Sequence, residues 1–171
     1  MITSWRLCNR DYADLDGDGA KLYGGRWNPK GLAVVYSSEC LALATLEALV
    51  HFVRRPDDQV YRQISFGETI VKGVEVLYGL PPDWKEQRLT TQEIGAQWIN
   101  DASSAVLSVP SAVVAISRNY LFNPNHPEFS LVECSDPAAY DFDDRLLDRR
   151  LRPMQSPKRS ATAQPLRPGP L

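Results

Sequence analysis

Ten residues, Leu41 to Val50, constrain this 171-residue chain more than any other segment. They read Leu-Ala-Leu-Ala-Thr-Leu-Glu-Ala-Leu-Val, without glycine or proline, and Pro56 stands shortly beyond. That pattern predicts a helix over 39–54, packed on a core. No apolar run in the chain is long enough to span a bilayer. Only Thr45 and Glu47 interrupt the segment, and Glu47 is the sole carboxylate between Glu39 and Asp57. Helical spacing places it on one face with Leu43 and Val50 and beside Leu46. A carboxylate on an apolar face is costly unless paired or used, which makes Glu47 a candidate functional group. The competing reading puts it at the wet edge of a wide face.

The flanking segments read as short strands and turns. Strands are predicted at Ile2–Leu7, Leu32–Tyr36, Val60–Phe66 and Thr69–Leu77, the last two joined by a tight turn at Gly67. Residues 11–28, rich in Asp and Gly, read as loop. Thr90 and Glu93 have capping-box spacing, so a second helix is expected to start there. Val106–Leu107 and Ser111–Ile116 read as strands on either side of Pro110, 123–127 as a turn, and Leu131–Cys134 as a last strand. The sum is one mixed α/β domain over residues 1–148, with no internal repeat.

Charge divides the chain. From Arg149 onward there are six basic residues and no acid, while the first 148 residues hold 13 basic and 21 acidic groups, a net charge of −8. Prolines and polar residues dominate 149–171, so that segment reads as a disordered basic tail. An acidic body is a poor match for nucleic acid, and no direct nucleic-acid binding is expected. Binding through the tail remains an alternative, which would show salt-dependent affinity lost on its removal. The start, Met1 to Arg6, lacks a secretory pattern, so a cytoplasmic protein without membrane association is expected.

Several familiar sites are excluded by their own geometry. Cys8, Cys40 and Cys134 are too scattered for a disulfide framework, and with His51 and His126 they make no zinc pattern. Asp14-Leu15-Asp16-Gly17-Asp18-Gly19 resembles half a calcium loop, but its twelfth position is Gly25 where a bidentate Glu is needed. No metal is expected. Ser111 has no nucleophile elbow around it and reads as a hydrogen-bonding group. His126, between Pro124 and Pro127, reads as structural. There is no Gly-x-Gly-x-x-Gly after a strand, so a dehydrogenase-type site is absent.

Gly24-Gly25-Arg26-Trp27-Asn28 is the sharpest local feature. Two glycines allow close approach of a ligand, and Arg26 offers a planar cationic fork suited to phosphate. A plain turn with an exposed Arg and a packed Trp is the alternative. Tyr36 offers a ring for stacking and a hydroxyl, although by itself it reads as an ordinary core tyrosine.

Taken in order, Gly-Gly-Arg-Trp-Asn, the Val-Val-Tyr strand, Ala-Leu-Ala-Thr-Leu-Glu-Ala-Leu-Val-His, Val-Pro-Ser-Ala-Val-Val and Asn-Tyr-Leu-Phe-Asn-Pro-Asn-His-Pro resemble the RES-domain family, from about Trp5 to about Phe142. The arginine, glutamate and serine of that name match Arg26, Glu47 and Ser111, and Tyr36 falls on a further active-site position. The resemblance implies an α+β fold similar to the ADP-ribosyltransferases, a compact β core flanked by helices. It implies the toxin of a type II toxin–antitoxin pair, held silent by an Xre-like antitoxin in a hetero-oligomer. The implied chemistry is cleavage of the nicotinamide–ribose bond of NAD⁺, by phosphorolysis or hydrolysis. NAD⁺ is then a substrate, phosphate a possible co-substrate, and no cofactor is expected. Arg26, Tyr36, Glu47 and Ser111 would be catalytic, and Gly25, Arg26, Asn28, Tyr36 and Ser111 would hold the dinucleotide. Transfer of ADP-ribose to protein, or a silent partner-binding module, are the alternatives. One departure is Ile116-Ser117-Arg118 before Asn119, where many members carry a glutamate; the basic tail is another.

Overall fold

The computed structural model describes residues 1–52 and 55–151. Most of the basic tail, from 152 to 171, lies outside the described residues. The elements are β1 (Ile2–Asn9), α1 (Asp18–Tyr23), β2 (Val35–Ser38), α2 (Leu41–Leu49), β3 (Gln59–Phe66), α3 (Glu68–Gly73), β4 (Glu75–Val76), α4 (Arg88–Asp101), β5 (Val106–Pro110), β6 (Arg118–Phe122), β7 (Val132–Cys134), β8 (Ala138–Ala139) and α5 (Asp144–Leu151). Short 3-10 turns lie at Arg10–Tyr12 and Pro127–Leu131. This is the mixed α+β architecture expected from the sequence.

One sheet runs β4-β5-β6-β2-β1-β3-β7, with β8 also on β3. All neighbours are antiparallel except β4 and β5. Two cores cover its two faces. Trp27, Val34, Trp98, Ile99, Leu107, Val109 and Leu121 form one, under α4. Val35, Ile64, Phe66, Ile70, Val106 and Phe122 form the other, with α3. The alternation of strand side chains explains the division. Neighbours Leu121 and Phe122, or Val106 and Leu107, point to opposite faces and enter different cores.

The sheet is weakest at its middle. β1 and β3 pair along eight residues, Ile2↔Phe66 to Asn9↔Gln59, but β1 and β2 pair only through Trp5↔Ser38. The two strands therefore diverge, and the gap between them is where the site forms.

Several expectations are corrected. Thr69–Leu77 is a strand only at Glu75–Val76, which is β4: α3 occupies 68–73, with only Ile70 buried and Glu68 and Lys72 paired across one turn at 2.7 Å. Ser111–Ile116 is not a strand. The Ser111 hydroxyl accepts the N–H groups of Val113 at 3.1 Å and Val114 at 2.9 Å, curling the chain away from the sheet after Pro110. The strand that follows, β6, begins only at Arg118. The Asp/Gly-rich loop contains α1, whose entry is set by Asp16 accepting the Asp18 N–H at 2.9 Å. No capping box forms at Thr90, because α4 starts at Arg88 and its N-cap is Gln87. β2 starts three residues and ends two residues later than expected, so Tyr36 lies within it. α2 ends at Leu49, and its N-cap is Cys40, whose sulfur accepts the Leu43 N–H at 3.4 Å. α5 extends to Leu151, so the first residues assigned to the tail are helical.

Candidate functional site

A cleft of about 820 Å³ opens where β1 and β2 diverge. Its charged side chains are Arg6, Arg26 and Arg88 against one carboxylate, Glu47, with His51 also on the wall. An acidic protein thus presents a cleft in which cations prevail, the arrangement that concentrates an anionic ligand.

Glu47 projects into this cleft from α2. Its Oε1 accepts two hydrogen bonds, from Ser111 Oγ at 2.7 Å and Asn119 Nδ2 at 2.7 Å. Asn119 is itself oriented by Ser38, whose hydroxyl donates to Asn119 Oδ1 at 2.7 Å. Both donors grip one oxygen, and Oε2 has no partner among the described residues. The carboxylate is held from behind with its second oxygen left for chemistry. Three elements meet to do this: the turn after β5, the start of β6, and the end of β2.

Ser111 is brought to Glu47, but not to a ligand. It is fully buried, absent from the cleft wall, and engaged in three hydrogen bonds. Its hydroxyl is turned to the carboxylate and to its own turn, the geometry of a group that positions Glu47. Asn28 is likewise turned into the protein. Its amide is fully buried, with Nδ2 donating to the carbonyls of Ala20, Pro29 and Leu32 and Oδ1 accepting from the Tyr36 hydroxyl at 2.7 Å. No atom of that side chain is left for a ligand.

Tyr36 contributes a half-buried ring to the cleft and a hydroxyl to the protein. The hydroxyl also accepts the Trp27 N–H at 3.1 Å. Burial pushes its pKa far up, outweighing the lowering effect of Trp27, Arg88 and Arg26. It therefore remains a neutral donor to Asn28. Gly25 sits against this pair: a Cβ there would collide with the Tyr36 hydroxyl and stand 2.7 Å from Asn28 Oδ1. Only glycine fits. Its carbonyl is fixed to α4 by Gln92 at 2.7 Å, and Gly95 of α4 packs against the Trp27 carbonyl. The Gly-Gly-Arg turn is thus clamped between β2 and α4.

Arg26 lines the cleft and is steadied from outside it. One nitrogen donates to the Lys85 carbonyl at 2.8 Å, and the guanidinium lies 5.6 Å from the centre of the Trp84 ring.

Sequence reasoning missed Arg6, Asn119 and Arg88. Arg6 is 9% exposed and bridges the divergent strands, donating to the carbonyls of Tyr36 at 3.2 Å and Tyr12 at 2.9 Å. Its Nε is buried without a partner, and no carboxylate pairs with it among the described residues. A buried cation without a counter-ion is costly, so its presence in the wall points to an anionic ligand. An arginine inside a strand between Trp5 and Leu7 was the available signal. Asn119 gave none by itself, because its partner is 72 positions away.

Comparison with known proteins adds ancestry to this geometry. The RES domain family model matches residues 3–143. "Toxin Res" of Yersinia enterocolitica is 35% identical over 151 residues, covering 83% of this chain and 97% of that protein. "Toxin Res" of Pseudomonas putida is 37% identical over 128 residues, 72% of this chain and 86% of its own length. A Sphingobium protein named "Prs ADP-ribosylating toxin" is 34% identical over 158 residues, 86% of this chain and 98% of that one. Among solved structures, the M. tuberculosis MbcT-MbcA toxin-antitoxin complex contains a chain of the same fold, with a TM-score of 0.60 and 16% identity over 87% of this chain and 88% of that chain.

Proposed function

The chain belongs to the RES domain family, and on that premise we propose that it is the toxin of a toxin–antitoxin pair and acts by cleaving NAD⁺ between nicotinamide and ribose. The observation that carries the chemistry is Glu47, held on one oxygen by Ser111 and Asn119 in a cleft whose other charged side chains are arginines. The arginines suit the pyrophosphate of a dinucleotide. The free oxygen of Glu47 suits the positive charge that builds on the ribose as the glycosidic bond breaks.

In that reaction nicotinamide leaves with the bonding electron pair. An oxygen of the acceptor forms the new bond to the anomeric carbon. With phosphate the product is ADP-ribose 1″-phosphate; with water it is ADP-ribose and a released proton. Arg6, buried and without a counter-ion, would hold the pyrophosphate, with Arg26 beside it. Gly25 would give the ligand room, and the Tyr36 ring would form part of the wall. Such an enzyme would act in the cytoplasm, where NAD⁺ is abundant. An Xre-like antitoxin would be its silencing partner.

A second acceptor has its own support. The Sphingobium relative is named for ADP-ribosylation, and the same bond would break if a protein side chain took the ADP-ribose. Incubation of purified protein with NAD⁺, with and without phosphate and with a lysate, separates these cases. Free nicotinamide with a phosphorylated or free sugar product supports consumption of NAD⁺, and ADP-ribose appearing on protein supports transfer. No nicotinamide under any condition, from folded protein, would sink both.

A further inference from the structure

Tyr12 and Tyr23 lie on the cleft wall and take no part in holding Glu47 or the Gly-Gly-Arg turn. Their hydroxyls are 3.1 Å apart and their rings meet edge to face, with centroids 6.1 Å apart and planes at 84°. Tyr12 is the anchored member. Its carbonyl is held by Arg6, and its ring lies against Gly19, where a Cβ would stand 3.2 Å from Cδ1. Tyr23 is the free member, 61% exposed at the end of α1.

The hydrogen bonds order the cleft. Ser38, the residue of β2 that pairs with β1, leads through Asn119 to Glu47. Two residues back along β2, about 7 Å by strand rise, the Tyr36 carbonyl accepts from Arg6, and Arg6 also reaches the Tyr12 carbonyl. Along this chain of bonds the carboxylate comes first, the buried guanidinium next and the tyrosine pair last, and all line the cleft. A dinucleotide carries the groups that each would take in the same order: a glycosidic bond that develops positive charge, a pyrophosphate, and a purine.

We propose that Tyr23 stacks on the adenine ring of the dinucleotide, with Tyr12 fixing its orientation, so that the pair holds the base of the adenylate half in the cleft. This rests on the reading of the cleft as an NAD⁺ site. An aromatic face in a cleft is a base platform that leaves hydrogen-bond readout to others, so the pair selects for the presence of a base more than for its identity.

The test uses the full chain with Glu47→Gln, to prevent turnover, and two probes: NAD⁺ and nicotinamide mononucleotide, which lacks the adenylate half. Their affinities are measured by calorimetry with and without Tyr23→Ala. Loss of one base stack weakens binding about tenfold, so NAD⁺ affinity should fall by about that factor while mononucleotide affinity stays unchanged. Tyr23→Phe, which keeps the ring, should bind NAD⁺ within about twofold of the tyrosine form. Equal weakening of both probes, or NAD⁺ affinity indifferent to Tyr23→Ala, overturns the assignment and leaves the NAD⁺ site standing. Failure of the folded chain to bind NAD⁺ at all overturns both.

Discussion

The Ser111 hydroxyl donates to Glu47 Oε1 at 2.7 Å while accepting two N–H groups from the turn that follows it. One side chain thereby closes a turn and aims a carboxylate. Ser111→Ala leaves two N–H groups unsatisfied and frees one side of Glu47. Urea denaturation should show a loss of about 1–3 kcal/mol. Nicotinamide release should slow by roughly tenfold to a hundredfold in kcat, through misplacement, with KM little changed. A rise in KM with kcat intact would mean that Ser111 touches the substrate after all.

Asn119 should behave as the other half of the same grip. Asn119→Asp keeps the shape but removes the donor and places a second carboxylate beside Glu47. It should lose kcat by about as much as Ser111→Ala, on the order of tenfold or more. Ser38→Ala, which only unfixes the Asn119 amide, should cost less than Asn119→Asp. The three rates, measured at saturating NAD⁺, rank the grip; Ser38→Ala proving the worst would contradict it.

Much of this arrangement was legible before the fold. The helix around Glu47 announces itself because ten residues keep one period, and Glu47 stands out because no other charge shares it. The Gly-Gly-Arg turn is legible because Gly25 has no substitute beside Tyr36 and Asn28. What stayed hidden depends on distant partners. Ser111 and Asn119 are 64 and 72 positions from the carboxylate they hold, and Arg6 reaches the cleft only because β1 and β2 part around it. α3 reads as a strand in the sequence because Ile70, Val71 and Val74 fit either period over so short a run.

Gly25→Ala should be disruptive despite its small size. The added methyl would collide with the Tyr36 hydroxyl and the Asn28 amide. Forcing them apart should cost about 1–3 kcal/mol, read as a lower denaturation midpoint. A variant as stable as the parent would show that the turn is looser than described.

Stability should fall in alkali. The folded pKa of Tyr36 is raised above its ordinary value of 10.0, chiefly by burial. Its contribution is therefore complete below pH 10 and is lost as pH rises above 10, when the unfolded chain ionises first. Tyr36→Phe should be less stable than the parent at pH 8, having lost the bond to Asn28, and the gap should narrow at pH 11. Parallel pH profiles would remove Tyr36 from this account.

The most direct measurement is nicotinamide release from NAD⁺ by the purified chain and by Glu47→Gln, with both confirmed as folded. The substitution keeps size and hydrogen bonding but removes the charge facing the ribose. The parent should release one nicotinamide per NAD⁺ consumed, and the variant should do so about 100- to 1,000-fold more slowly. Equal rates from the two proteins would contradict the role assigned to Glu47, and a folded parent that releases no nicotinamide would contradict the proposed activity itself.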